Sequence, residues 1–250
     1  MKQTYLVGVC VIVLVAAVVG WCYYSAAQKD ALRFSNTQEW DPDFYEAATS
    51  PAPTLGGSAF DAAVPAPPAN ISEETEIEIA GLYKLTPERS EVKKAEIELE
   101  RSFLDADFHG LTYNELFTDE ARPETALLLQ KIEPLFKVVV MREKLEHDRV
   151  RPSHLDPELS TTIPVPLHPA YPSGHASRAY LIAFILGELQ PDRADLYLVD
   201  AARIARNREV AGVHYPSDAV AGKMLAEQFF AALKADAELG PLLENAKTEW

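Results

Sequence analysis

Apolar residues recur at helical spacing along most of the second half of this chain, and in one place near the start they run without interruption. The uninterrupted run is Tyr5 to Tyr24, preceded by Lys2. About 20 apolar residues match a bilayer-spanning helix. Trp21, Tyr23 and Tyr24 at its far end have the character of an interfacial aromatic belt. Ser25-Ala26-Ala27 is also a small-residue cleavage site, so residues 1–27 read as a membrane anchor or a signal peptide. Both readings put the remainder outside the cytoplasm, in the periplasm or its equivalent. Uncleaved, residues 5–24 would hold the chain at the inner membrane.

The pattern then changes. Residues 28–80 read as a linker or an arm over the domain surface. Within them, 36–75 are rich in Pro, Ala, Ser and acidic residues and show no apolar periodicity. The domain is expected over 81–250. Thr86 is an N-cap candidate with Pro87 at the first helical position. Val92, Ala95, Ile97, Leu99, Phe103 and Leu104 follow as an apolar stripe, up to a break near His109-Gly110. A second helix is expected from Pro123 towards Arg149, bent at Pro134. Others are expected over about 175–189, 192–210 and 217–236, with a short one after Pro241. No alternating strand pattern and no internal repeat stands out. The fold class is all-α, a compact helical bundle.

Charge narrows the function. The chain has 250 residues, 48% of them hydrophobic, and a formal charge of −15. It lacks the basic footprint of a nucleic-acid binder. Its two cysteines, Cys10 and Cys22, both fall in the N-terminal apolar run, so the domain has neither a disulfide framework nor thiolate metal ligands. Against that acidic background a local excess of cations stands out. Between Lys137 and His154, five Lys and Arg face three carboxylates.

Three short stretches carry candidate chemistry. Lys144 and Arg151 are seven residues apart, two helical turns, and Pro152 ends the helix. Pro172-Ser173-Gly174-His175 precedes an apolar run, so a helix N-terminus with its free N–H groups meets a hydroxyl and an imidazole. Arg208 is followed by His214-Tyr215-Pro216-Ser217-Asp218, in which Asp218 can hold one nitrogen of His214 and leave the other as nucleophile or base. Singly, each stretch reads as ordinary helix capping, a solvated face or a surface hydrogen bond. Together, two Arg, one Lys, a helix start and two His suit phosphoryl transfer, whose transition state spreads charge over three oxygens. His147, His154 and His168 add no His-Glu-x-x-His spacing, so no metal site is expected.

In order and inner spacing, Lys144-x6-Arg151-Pro152, Pro172-Ser173-Gly174-His175 and Arg208-x5-His214-x3-Asp218 resemble the three-part signature of the type 2 phosphatidic-acid phosphatase superfamily. That superfamily includes bacterial non-specific (class A-like) acid phosphatases, lipid phosphatases and vanadium-dependent haloperoxidases. The resemblance covers about residues 137–235. It implies that Lys144, Arg151, Ser173, Gly174 and Arg208 bind phosphate. It further implies that His214 is the nucleophile, His175 the general acid and Asp218 the group that orients His214, with no metal or cofactor. The implied substrate is a small phosphorylated molecule; self-association is left open. Asn207 departs from the usual Ser before the Arg, and Ala170 and Ala176 are also similar to the haloperoxidase branch. Lipid phosphatase, haloperoxidase and inactive binding module are the competing readings.

Overall fold

The computed structural model describes residues 25–102 and 121–250, and these are mostly helical. The Tyr5–Tyr24 run and the break near His109-Gly110 lie outside the described residues. No helix among the described residues is long and apolar enough to cross a membrane.

Apolar residues at helical spacing build the core. The helix Pro123–His147 (α4) opens with Pro at its first position, where the missing N–H costs nothing. It buries Leu128, Leu129, Ile132, Phe136, Val139 and Val140, continues through Pro134, and ends at Asp148, whose φ is 44°. After the single turn Pro152–Leu155 (α5) come Gly174–Leu189 (α6), Ala194–Val210 (α7), Pro216–Ala235 (α8) and Leu239–Ala246 (α9). Helix α6 is the centre: α7 and α8 pack along it, while α9 packs on α4. Gly222 lets α8 come very close to α6. A Cβ there would lie 2.9 Å from the Ser173 carbonyl oxygen and from Ser177 Oγ.

The structure changes several expectations about the elements. The stretch read as an arm contains the helix Pro42–Thr49 (α1) and most of the helix Glu73–Lys84 (α2). Both are started by side-chain caps: Asp41 accepts from the N–H of Asp43 and Phe44, and Ser72 from that of Thr75. Between them Thr54–Leu55 (β1) and Ser58–Ala59 (β2) pair antiparallel, turning through Gly56 and Gly57 at φ 62° and 82°. Strands of two residues are too short to show alternation. The helix expected from Thr86 begins later. Thr86–Glu88 is one 3-10 turn, and Glu91–Ser102 (α3) starts where Ser90 Oγ accepts from the N–H of Lys93. The last helix starts at Leu239 rather than after Pro241. Proline is tolerated there because a first-turn N–H has no intrahelical partner.

Candidate active site

The cationic part of the site hangs from the end of α4. Lys144 is fully buried, and its ammonium donates to the carbonyls of Pro169 (2.7 Å), Pro172 (2.6 Å) and Ala170 (3.3 Å). It thereby braces the loop that leads into α6. Pro152 keeps Arg151 extended, at φ −71° and ψ 151°. From there the buried guanidinium donates to the carbonyl of His168 through Nε (3.0 Å) and Nη2 (2.8 Å), and to that of Val213 through Nη1 (2.8 Å).

Ser173 caps α6, its Oγ accepting from the N–H of Ala176 at 3.4 Å. A Cβ on Gly174 would meet no described atom closer than 3.8 Å, so this glycine is not demanded by crowding. His175 follows in the first turn. The Glu100 backbone lies near its ring, and its Nε2 is buried with no partner among the described residues.

His214 sits in the turn between α7 and α8. The turn reverses at Gly212, φ 78°, where a Cβ would lie 2.8 Å from the Ser160 carbonyl oxygen. His214 Nδ1 is 2.9 Å from Asp218 Oδ2, and Nε2 is 3.0 Å from Arg151 Nη1. A guanidinium only donates and an ionised carboxylate only accepts. The tautomer follows: Nδ1–H donates to Asp218 and the lone pair is on Nε2. Asp218 is fully buried and also accepts from the N–H of Tyr215 (3.0 Å) and from Arg149 Nη1 (2.6 Å).

Arg208, the third expected cation, lies in the last turn of α7. Its Nη2 pairs with Glu100 on α3 and donates to the Ile97 carbonyl, while Nε and Nη1 are buried without a partner among the described residues.

Burial, with the surrounding positive charge second, sets the electrostatics. Desolvation pushes Lys144 well below its ordinary value, assisted by Arg151, and pushes Arg151 down to about 9. His214 is held well below the ordinary imidazole range by burial, then by Arg151, Lys144 and Arg208. Burial likewise lowers His175, with Arg208 and His214 adding to it. Both rings are therefore neutral near pH 7.

All eight residues singled out from the sequence come to this region, on α4, the loop after it, α6, α7 and α8. The structure adds four that sequence reasoning passed over. His168 lies in the loop before α6 and is buried there. Its Nδ1 lies 3.0 Å from Arg151 Nη2 and its ring packs edge-on against Phe44. Glu100 holds Arg208. Arg149 and Glu78 stand behind Asp218. Arg149 could have been suspected from its place two residues before Arg151; Glu78 and Glu100 sit in acidic helices and carry no signal of their own.

Residues 117–237 match the family model described as the PAP2 superfamily. Two bacterial relatives agree. The acid phosphatase of Zymomonas mobilis subsp. mobilis is 39% identical over 80 residues, 32% of this chain and 30% of the relative. The non-specific acid phosphatase of Providencia stuartii is 31% identical over 81 residues, 32% of this chain and 33% of the relative. The chain thus spans about a third of the length of these curated relatives. Among solved structures, the first bacterial vanadium-dependent iodoperoxidase shares the fold, with a TM-score of 0.52 at 16% identity over 88% of this chain and 64% of that one.

Proposed function

We propose that this chain hydrolyses phosphate monoesters without a metal, through a phosphohistidine at His214. The observation that carries the reading is His214, held through Nδ1 by Asp218 so that its lone pair is on Nε2 beside Arg151, next to buried polar atoms of Arg208 and His175 that have no partner among the described residues. Those atoms, with Arg151 and the first N–H groups of α6, suit the oxygens of a bound phosphoryl group. Gly174 presents no Cβ to keep a ligand from the backbone. Lys144 contributes its charge while its donors hold the Pro169–Pro172 carbonyls.

In this mechanism a phosphate oxygen takes over Arg151 Nη1 and uncovers Nε2. The Nε2 lone pair attacks phosphorus, the ester P–O bond breaks, and protonated His175 gives its proton to the leaving oxygen. Asp218 stabilises the cationic ring formed by attack. A water then attacks phosphorus and gives its proton to His175. The P–N bond breaks, and inorganic phosphate leaves with His214 restored. His175 must start protonated although its surroundings lower its pKa, and the dianionic substrate is what favours the proton there. The site lies outside the cytoplasm in this reading, carried or exported by residues 1–27. Lipid phosphates presented at a membrane are the alternative substrates. The test is phosphate release from a panel of nucleotides, sugar phosphates and lipid phosphates, run beside His214→Ala. Release that survives His214→Ala unchanged would overturn the proposal. Halide oxidation with vanadate and peroxide, without phosphate release, would reassign the same cradle.

A further inference from the structure

We propose that Glu78, on the arm helix α2 and outside the matched residues 117–237, is a positioning residue for catalysis that acts on His214 through Arg149 and Asp218. This rests on the phosphohistidine reading above. Both oxygens of Glu78 are engaged. Oε2 accepts from Arg149 Nη2 at 2.9 Å, and Oε1 accepts from the N–H of Ser217 at 2.6 Å. Each bond bears on Asp218. Ser217 precedes Asp218 in the first turn of α8, where its N–H has no intrahelical partner. Arg149 donates to Asp218 Oδ1 and to Ser217 Oγ (2.7 Å), with its guanidinium 3.8 Å over the Tyr215 ring. Asp218 then holds His214 Nδ1.

The sign of the charge makes this more than a clamp. Arg149 alone would neutralise Asp218, and the pair would offer no net charge to a ring that becomes cationic on attack. With Glu78 the buried row Glu78, Arg149, Asp218 carries one net negative charge next to His214. The side chains of Arg149 and Asp218 are almost wholly buried and that of Glu78 is 8% exposed, so solvent screens the row little. Tyr171, Tyr215 and Glu209 also face it; the two phenols are held neutral by burial and Glu209 adds no positive charge, so the row stays negative. Arg151, Lys144 and Arg208 also act on His214, Arg151 directly at its Nε2, and His175 lies close enough to feel its charge. They favour the incoming phosphate but oppose a cationic ring, which the negative row supports.

The experiment compares the full-length parent with Glu78→Gln, Glu78→Asp and, as a control on the same helix, the exposed Glu76→Gln. Glu78→Gln keeps the size and can still accept from Ser217, but loses the charge. Its kcat falls about tenfold, the usual scale for a group behind a catalytic residue, with KM within about twofold because the phosphate donors are untouched. Glu78→Asp, which keeps the charge, recovers most of the rate, and Glu76→Gln matches the parent. In an Arg149→Met background, Glu78→Gln has no further effect on kcat, because the path to Asp218 is already cut. The NMR resonance of the His214 Nδ1 proton, read without turnover, moves in Glu78→Gln and stays in Glu76→Gln. The proposal is overturned if Glu78→Gln keeps the parental kcat, if Glu78→Asp is as slow as Glu78→Gln, or if the resonance does not move. A parent that releases no phosphate would sink the phosphatase reading, and the resonance would still decide the role of Glu78.

Discussion

Asp218→Asn isolates the electrostatic part of the site at nearly constant shape. Asp218 Oδ2 accepts from His214 Nδ1–H and from the Tyr215 N–H, while Oδ1 accepts from Arg149 at 2.6 Å. An amide cannot serve both sides. With its oxygen towards His214, its NH2 meets the donors of Arg149. With its oxygen towards Arg149, its NH2 meets the Tyr215 N–H and drives His214 to the other tautomer, with the proton on Nε2 and no lone pair for attack. Either orientation leaves a buried donor facing a donor and one carboxylate charge missing. Losing one member of a buried ion pair costs about 3–5 kcal/mol, and the lower end is expected because Arg149 keeps Glu78. The rate falls further than stability alone explains. A wrong tautomer in a His–Asp pair lowers kcat by about 10⁴, so roughly 10³–10⁴ is expected here. Phosphate release from an aryl phosphate gives kcat, and thermal melting gives the stability. Asp218→Asn that stays folded and keeps more than a tenth of the parental kcat would refute the reasoning.

Other expectations follow from the same geometry. His168, His175 and His214 are all held below the ordinary imidazole range, chiefly by burial. Below about pH 6.5 the unfolded chain therefore binds protons that the folded chain refuses, and stability falls as pH falls. Melting curves from pH 7 to pH 4 should show this drop, and inorganic phosphate should reduce it by binding the folded state. The lowered value of His175 also sets its acid form below the ordinary range, so the alkaline limb of kcat/KM should lie below about pH 6.5. Arg208→Lys leaves a cation for Glu100 but not the planar fork; the inhibition constant of inorganic phosphate should rise about tenfold or more. Gly222→Ala drives a Cβ to 2.9 Å from the Ser173 carbonyl, so melting should show a loss of about 1–3 kcal/mol, with kcat reduced because α6 must shift.

Most of the helices were legible because burial demands one apolar face per helix, and that demand is written every three or four residues. Ends were read less well where a cap decided them. Ser90, not Thr86, starts α3, and Ser72 and Asp41 start helices within the stretch read as an arm. The eight candidate residues could be singled out for a different reason. They lie in three local stretches at helix ends, where spacing along the chain sets spacing in space. His168 was passed over because a histidine in a proline-rich loop looks alike whether it is solvated or wedged between Phe44 and Arg151.

By itself the sequence determined which residues could do the chemistry: Arg and Lys at helix ends, a Ser-Gly-His helix start, and a His with an Asp one turn away. Those are short-range facts, settled by helical geometry and by Pro and Gly. Only the tertiary structure decided what stands behind them. Glu73, Glu74, Glu76 and Glu78 share one helix, and nothing in their order marks Glu78 as the one turned inward. Its role appears only when α2 is laid beside Arg149, 71 positions later in the chain, and when Glu100 meets Arg208 across 108. A carboxylate's state depends on which cation and how little water surround it, and contacts across such separations are made by folding rather than by local sequence.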